Sequence, residues 1–244
     1  MSKISYKRTL QSHKKKFIMH ISSITKKLIM AISGAGLFVF LLFHLAMNAV
    51  LVFSDNAYDA VCAFLGANWY AIIGSAGLAA LVFIHFAFAT ILTIQNLAAR
   101  GSERYAVSNR TPGVDPEAKH MMVLGVIIIL GLAVHLLNFW SKMQLIEITG
   151  ADHAILNGVS VEPTNGSTIV RHAFSHWYIV IIYLVWICAI WKHLRHGLWS
   201  MMQSMGANNG TWLPRLRFIA NALAALIAGG YVAVVVAIFV QEAL

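Results

Sequence analysis

Five runs of the chain stay apolar for about 20 residues or more, the length a helix needs to cross the hydrocarbon of a bilayer. They cover roughly 27–53, 69–96, 120–142, 176–202 and 214–240. Lipid offers no hydrogen bonds, so a spanning backbone must satisfy its own polar groups, as a helix does. The pattern predicts an all-α polytopic membrane bundle of five transmembrane helices, with residues 1–244 forming a single membrane domain. Composition agrees: 59% of residues are hydrophobic and 11% charged, whereas soluble domains carry about 25% charged residues. Pro214 suits a first helical turn, where a missing N–H costs nothing.

The net charge of +9 is unevenly placed. Lys3, Lys7, Arg8, Lys14, Lys15, Lys16, Lys26 and Lys27 precede or open the first run, and no acid interrupts them. Next to five apolar runs, this basic segment (about 1–22) reads as a cytoplasmic tail and not as a nucleic-acid site. The 97–119 connection (Arg100, Arg104, Arg110, Lys119) and the 203–217 stretch (Arg215, Arg217) are also basic, while 54–68 and 143–175 are poor in Lys and Arg. Five spans with this bias put the N-terminus inside and the C-terminus outside. The first run is too long for a cleaved signal peptide and is expected to be retained.

Cys62 and Cys188 are the two cysteines. They are too few for a thiolate metal site and are not expected to pair. No C-x-x-C-H occurs, so any haem is not covalently attached.

Ionisable side chains are costly in lipid and usually have a partner or a role there. Four apolar runs each hold a histidine: His44, His85, His135 and His196. At about 1.5 Å per residue, His44 lies about 25 Å and His135 about 22 Å from the inner ends of their helices. His85 lies about 16 Å and His196 about 10 Å from theirs. This sorting pairs His44 with His135 in the outer half and His85 with His196 in the inner half. Two imidazoles per level, one on each side of a ring, suit two haem groups whose iron has no open position, hence electron transfer without bond chemistry. His193 competes with His196, three residues away on the same face. Gly197 favours His196, because a missing side chain lets a large ring approach. His193, Lys192 and Arg195 then lie near the ring edge or its propionates, or the two cations snorkel to the inner interface. His172, His176 and Arg171 are candidates for the outer propionates. Asn48 and Asn138 are placed to satisfy polar atoms near the outer ring. Ser33-Gly34-Ala35-Gly36 and Ala225-x-x-x-Gly229 offer close helix approaches. The fifth run, which has no histidine, reads as a lipid-facing or buttressing element.

Several segments resemble the cytochrome b membrane subunit of succinate dehydrogenase and fumarate reductase, in its five-helix, di-haem b558 form. They are KLIMAISG at 27–34, FHLAMN at 43–48, FLGANWYA at 64–71, QNLAARG at 95–101, LLNFW at 136–140 and HGLWSMMQS at 196–204. The resemblance covers nearly the whole chain. It implies a membrane anchor for a flavoprotein subunit and an iron–sulfur subunit on the cytoplasmic face of a bacterial inner membrane. It implies two haem b groups held by His44 and His135 (outer) and by His85 and His196 (inner). It also implies electron exchange with a quinone, by resemblance menaquinone, and no dehydrogenase active site on this chain. An outer quinone site near Asp55 and Asp59 is one reading of those acids; solvated loop charges are the other. Some relatives carry an acid in the fourth helix, linked to proton movement. No Asp or Glu lies between Arg171 and Gln241 to fill that role. Two alternatives remain open at this stage. One is a di-haem subunit of a formate dehydrogenase or hydrogenase; the other is a haem-free transporter using the histidines as proton relays.

Overall fold

The structure, a computed structural model, describes residues 22–100, 116–151, 153–207 and 209–244. The first 21 residues and most of the basic 97–119 connection lie outside the described residues, so the charges there that support the orientation reading receive no structural account.

The chain is built almost wholly of helix. In order these are α1 (Ser23–Phe53), α2 (Asp55–Phe64), α3 (Trp69–Arg100), α4 (Pro116–Asn138), α5 (Gln144–Thr149), α6 (Gly166–Phe174), α7 (Trp177–Ser204) and α8 (Trp212–Ala243). Helices α1, α3, α4, α7 and α8 are long and apolar enough to cross a membrane. Several ends (Ser23, Arg100, Pro116, Ser204 and Ala243) run past the apolar runs, because helical hydrogen bonding continues into the flanking polar residues, whereas α4 stops at Asn138, short of 142, and a 3-10 turn over Trp140–Lys142 follows. Ser22 caps α1, its hydroxyl accepting from the Thr25 amide at 3.1 Å. Ser54 ends α1 by donating its amide to Val50 and starts α2 by accepting from the Ala57 amide. Pro214 falls in the first turn of α8, as its chemistry requires.

The centre is formed by α1, α7 and α8, which pack on one another, with α3 against α1 and α4 against α7. Helix α8 is a buttress. Its inward stripe is Ala220, Ala224, Ile227, Ala228, Val234, Val235 and Ile238. This corrects the small-residue reading of that helix: Ala225 and Gly229 face outward, one position out of phase with the buried stripe. The close approach occurs at Gly230, where a Cβ would stand 2.7 Å from Leu45 Cδ2. The Ser33–Gly36 run does receive α3: a Cβ on Gly34 would meet His85, and one on Gly36 would meet Leu81. Large apolar side chains point outward, Phe83 and Phe218 each 74% exposed, as helices bathed in acyl chains require.

The connections at 54–68 and 143–175 are more ordered than their polar composition suggests. Helices α2, α5 and α6 and a hairpin of β1 (Ala154–Leu156) and β2 (Val159–Val161) occupy them. Asn157 and Gly158 turn the hairpin with positive φ of 50° and 84°, the geometry that two-residue hairpin loops favour. Helix α6 packs on α2, α7 and α8, so these pieces cap one end of the bundle. Asp59 accepts from the Ser167 amide (2.7 Å) and hydroxyl (2.9 Å), fastening α2 to α6. Asp55 accepts from Arg171 Nε and Nη2, at 3.0 and 2.7 Å. Both acids are therefore structural fasteners rather than loose loop charges. Arg171 also donates to Gln241 and Glu242 at 3.1 Å each, which ties the end of α8 into the cap. Gln144 joins α5 to the span start: it accepts from Ser75 and Trp140 and donates to the Gly66 carbonyl.

Candidate paired-histidine site

His44 on α1 and His135 on α4 face each other with ring centroids 5.6 Å apart and planes at 84°. Two imidazoles on opposite sides of one metal, each nitrogen about 2 Å from it, put their centroids roughly 6 Å apart. An aromatic wall surrounds the pair. Phe40 stacks on His44 at 5.2 Å, Phe139 and Trp186 lie 5.2 and 5.6 Å from His135, and Tyr231 lies 6.2 Å from His44. Asn48 donates to the His44 carbonyl at 2.7 Å and accepts from the Tyr58 hydroxyl at 3.3 Å. Asn138 donates to the Tyr183 hydroxyl at 3.4 Å. His135 Nδ1 is buried and has no hydrogen-bond partner. Leaving such an atom unsatisfied costs about 1–3 kcal/mol, which a native fold rarely tolerates without a ligand or other compensation.

The second pair contains His85 on α3. The α7 ring seen against it is His193, with centroids 6.1 Å apart. His193 Nδ1 is likewise buried and unpartnered. His196, one turn further on, packs edge-on against Trp199 at 5.0 Å. Gly197, the residue that favoured His196 in the sequence, borders open space: a Cβ there would meet nothing within 4 Å. Two histidines three apart on one helix carry nearly the same sequence signal, and only the rotation of α7 separates them.

The two pairs lie at different levels. His85 sits beside Ser33 and Gly34, and His44 follows on α1 three turns later, about 16 Å along the axis. On α7, Trp186 touches His135 and His193 follows two turns later, about 11 Å away. Trp186 also donates its indole N–H to the Ile128 carbonyl at 3.0 Å. Gly131 makes the room, since a Cβ on it would overlap the indole.

One participant was not anticipated. Glu117, in the first turn of α4, is 7% exposed and reaches Lys192 Nζ (3.6 Å) and Arg195 Nη1 (3.5 Å), the two cations that flank His193. Its Oε2 is buried without a partner. In the sequence it reads as one more charge in a connecting loop; the signal for it is an acid placed in the first turn of an apolar helix. Lys192 and Arg195 thus have an acidic partner in the chain itself, and Arg171 is committed to Asp55 and Glu242. His172 and His176 meet edge to face in the cap, with centroids 5.2 Å apart.

Among the described residues, no three His, Cys, Asp or Glu side chains converge as a bare metal ion needs. Pairs of imidazoles suit instead a metal that brings its remaining ligands with it, as the iron of a porphyrin does. The two pairs meet that requirement in donor type and ring spacing, and one ring of each, His135 and His193, has a buried Nδ1 without a hydrogen-bond partner. No protein-family model, curated protein or solved structure matches the chain.

Proposed function

We propose that this chain is a di-haem cytochrome b, the membrane anchor and electron-transfer subunit of a bacterial succinate:quinone oxidoreductase. The observation that carries the reading is the pairing of histidines from four different spans at two levels of the bundle. The segment resemblance, FHLAMN and HGLWSMMQS among others, supplies the choice of complex.

Bound haem would supply a one-electron iron couple at each level. His44 and His135 would hold the outer iron, and His85 with His193 would hold the inner one; His196 is the ligand that the sequence favours. With two protein imidazoles for each group, the chain would leave no position for oxygen or substrate and would confine the site to passing electrons. The aromatic and aliphatic walls exclude water and keep the spacing fixed. The partners are a flavoprotein and an iron–sulfur protein on the cytoplasmic side and menaquinone in the membrane.

The purified chain, assayed by optical spectroscopy with pyridine haemochrome stoichiometry, is expected to hold two b-type haems. His44→Ala or His135→Ala removes one and spares the other. Of His193→Ala and His196→Ala, the first is expected to remove the inner haem. A colourless preparation from haem-replete cells overturns the reading, and subunits other than a flavoprotein and an iron–sulfur protein overturn the choice of complex.

A further inference from the structure

His85 has a seat on α1 that the pairing itself does not require. Ser33 is 2% exposed, and its Oγ lies 3.2 Å from His85 Nδ1. A serine hydroxyl has one hydrogen, and Ser33 directs it to the Met30 carbonyl at 3.1 Å. Toward His85 its oxygen is then left to accept. An oxygen left to accept at that edge of a neutral imidazole calls for the hydrogen on Nδ1. The lone pair is then on Nε2. Gly34 completes the seat, because a Cβ there would come within 3.2 Å of His85 Cε1.

We infer that Ser33, its hydroxyl hydrogen held by the Met30 carbonyl, fixes His85 in the Nδ1–H tautomer and so presents Nε2 as the coordinating nitrogen, making Ser33 a positioning residue for the inner centre. Metal-binding histidines commonly give their second N–H to an acceptor in this way, which sets the ring's angle and strengthens its donation to the metal. The tautomer is inferred from the two Ser33 contacts; its effect on a metal rests on the proposed function.

The experiment is in two arms on the full-length chain. In the first, nitrogen NMR of ¹⁵N-histidine-labelled protein made without haem, with His85 assigned by loss of its signals in His85→Gln, reads the tautomer. Nδ1–H is expected in the wild type and in Ser33→Thr, which keeps the hydroxyl. Ser33→Ala is expected to shift the Nδ1 resonance and populate the Nε2–H form. In the second, redox titration of haem-loaded protein is expected to show a higher midpoint for the inner haem in Ser33→Ala, because a less donating imidazole favours the reduced iron. The outer midpoint stays put, and Ser33→Thr behaves as wild type. An Nε2–H ring in the wild type overturns the inference, as does a Ser33→Ala protein in which neither resonance nor midpoint moves. A chain that takes up no haem yet shows the Ser33-dependent Nδ1–H ring refutes the proposed function and leaves the seat standing.

Discussion

Single atoms decide more in this chain than residue types do. Gly131 is an ordinary small residue in an apolar run, yet it alone lets the Trp186 indole lie against α4 and reach the Ile128 carbonyl. Gly131→Ala is expected to displace Trp186, with a cost of about 1–3 kcal/mol from overpacking. A lowered melting temperature and a shift in tryptophan fluorescence would show it. Cys62 makes a second case. Burial, with Asp59 nearby, pushes its thiol up to about 12. Each unit is a factor of ten, so three units above the usual value leave roughly 1,000-fold less thiolate at pH 8. Alkylation at that pH, followed by mass spectrometry, is expected to spare Cys62 in the folded chain and modify it after unfolding. Such residues are poorly legible in advance. A histidine in lipid announces itself through its cost, so His44, His85, His135 and His196 stand out in the sequence. The choice between His193 and His196 depends on the rotation of α7, and the importance of Gly131 or Ser33 depends on what stands opposite.

The elements were readable where one physical requirement dominated. Crossing a bilayer needs length and apolarity together, and the five spans meet both. The cap escaped because its pieces are short and half-polar, and its fasteners are far apart in sequence: Asp59 with Ser167, and Arg171 with Asp55 and Glu242. No local pattern reveals such pairs. The buried face of α8 was misjudged because Ala225 and Gly229 are spaced as suitably as the true contacts, and small residues on an outward face look the same. The cap also makes Arg171 a joint between three elements. Arg171→Ala removes its bonds to Asp55, Gln241 and Glu242 and is expected to cost about 1–3 kcal/mol. Hydrogen exchange should rise in α6 and in the last turn of α8, with little change at the opposite end of α1. Arg171→Lys, with one ammonium in place of a planar fork, should recover part of the loss.

At the scale of the molecule the described charges are biased by end. Asp55, Asp59, Glu147, Glu162 and Glu242, with Lys142 and Arg171 among them, belong to the capped end, while Lys26, Lys27, Lys192, Arg195, Arg215 and Arg217, with Glu117 among them, lie toward the other. Cytoplasmic ends of membrane helices are rich in Lys and Arg, so the end opposite the cap is expected to face the cytoplasm. Cysteines placed at Ser204 and at Leu244 in a chain freed of its native pair test this. A membrane-impermeant maleimide applied to intact spheroplasts should label position 244 and not 204; the reverse would invert the topology. The histidine contacts also interlace along the chain. His44 waits for α4, and His85 for α7, so neither pair closes within one helical hairpin. During synthesis the ribosome must therefore deliver most of the bundle before the first ring contact exists. A nascent chain halted after α4 has everything needed for the outer contact and nothing to complete the inner one, which gives maturation a built-in order.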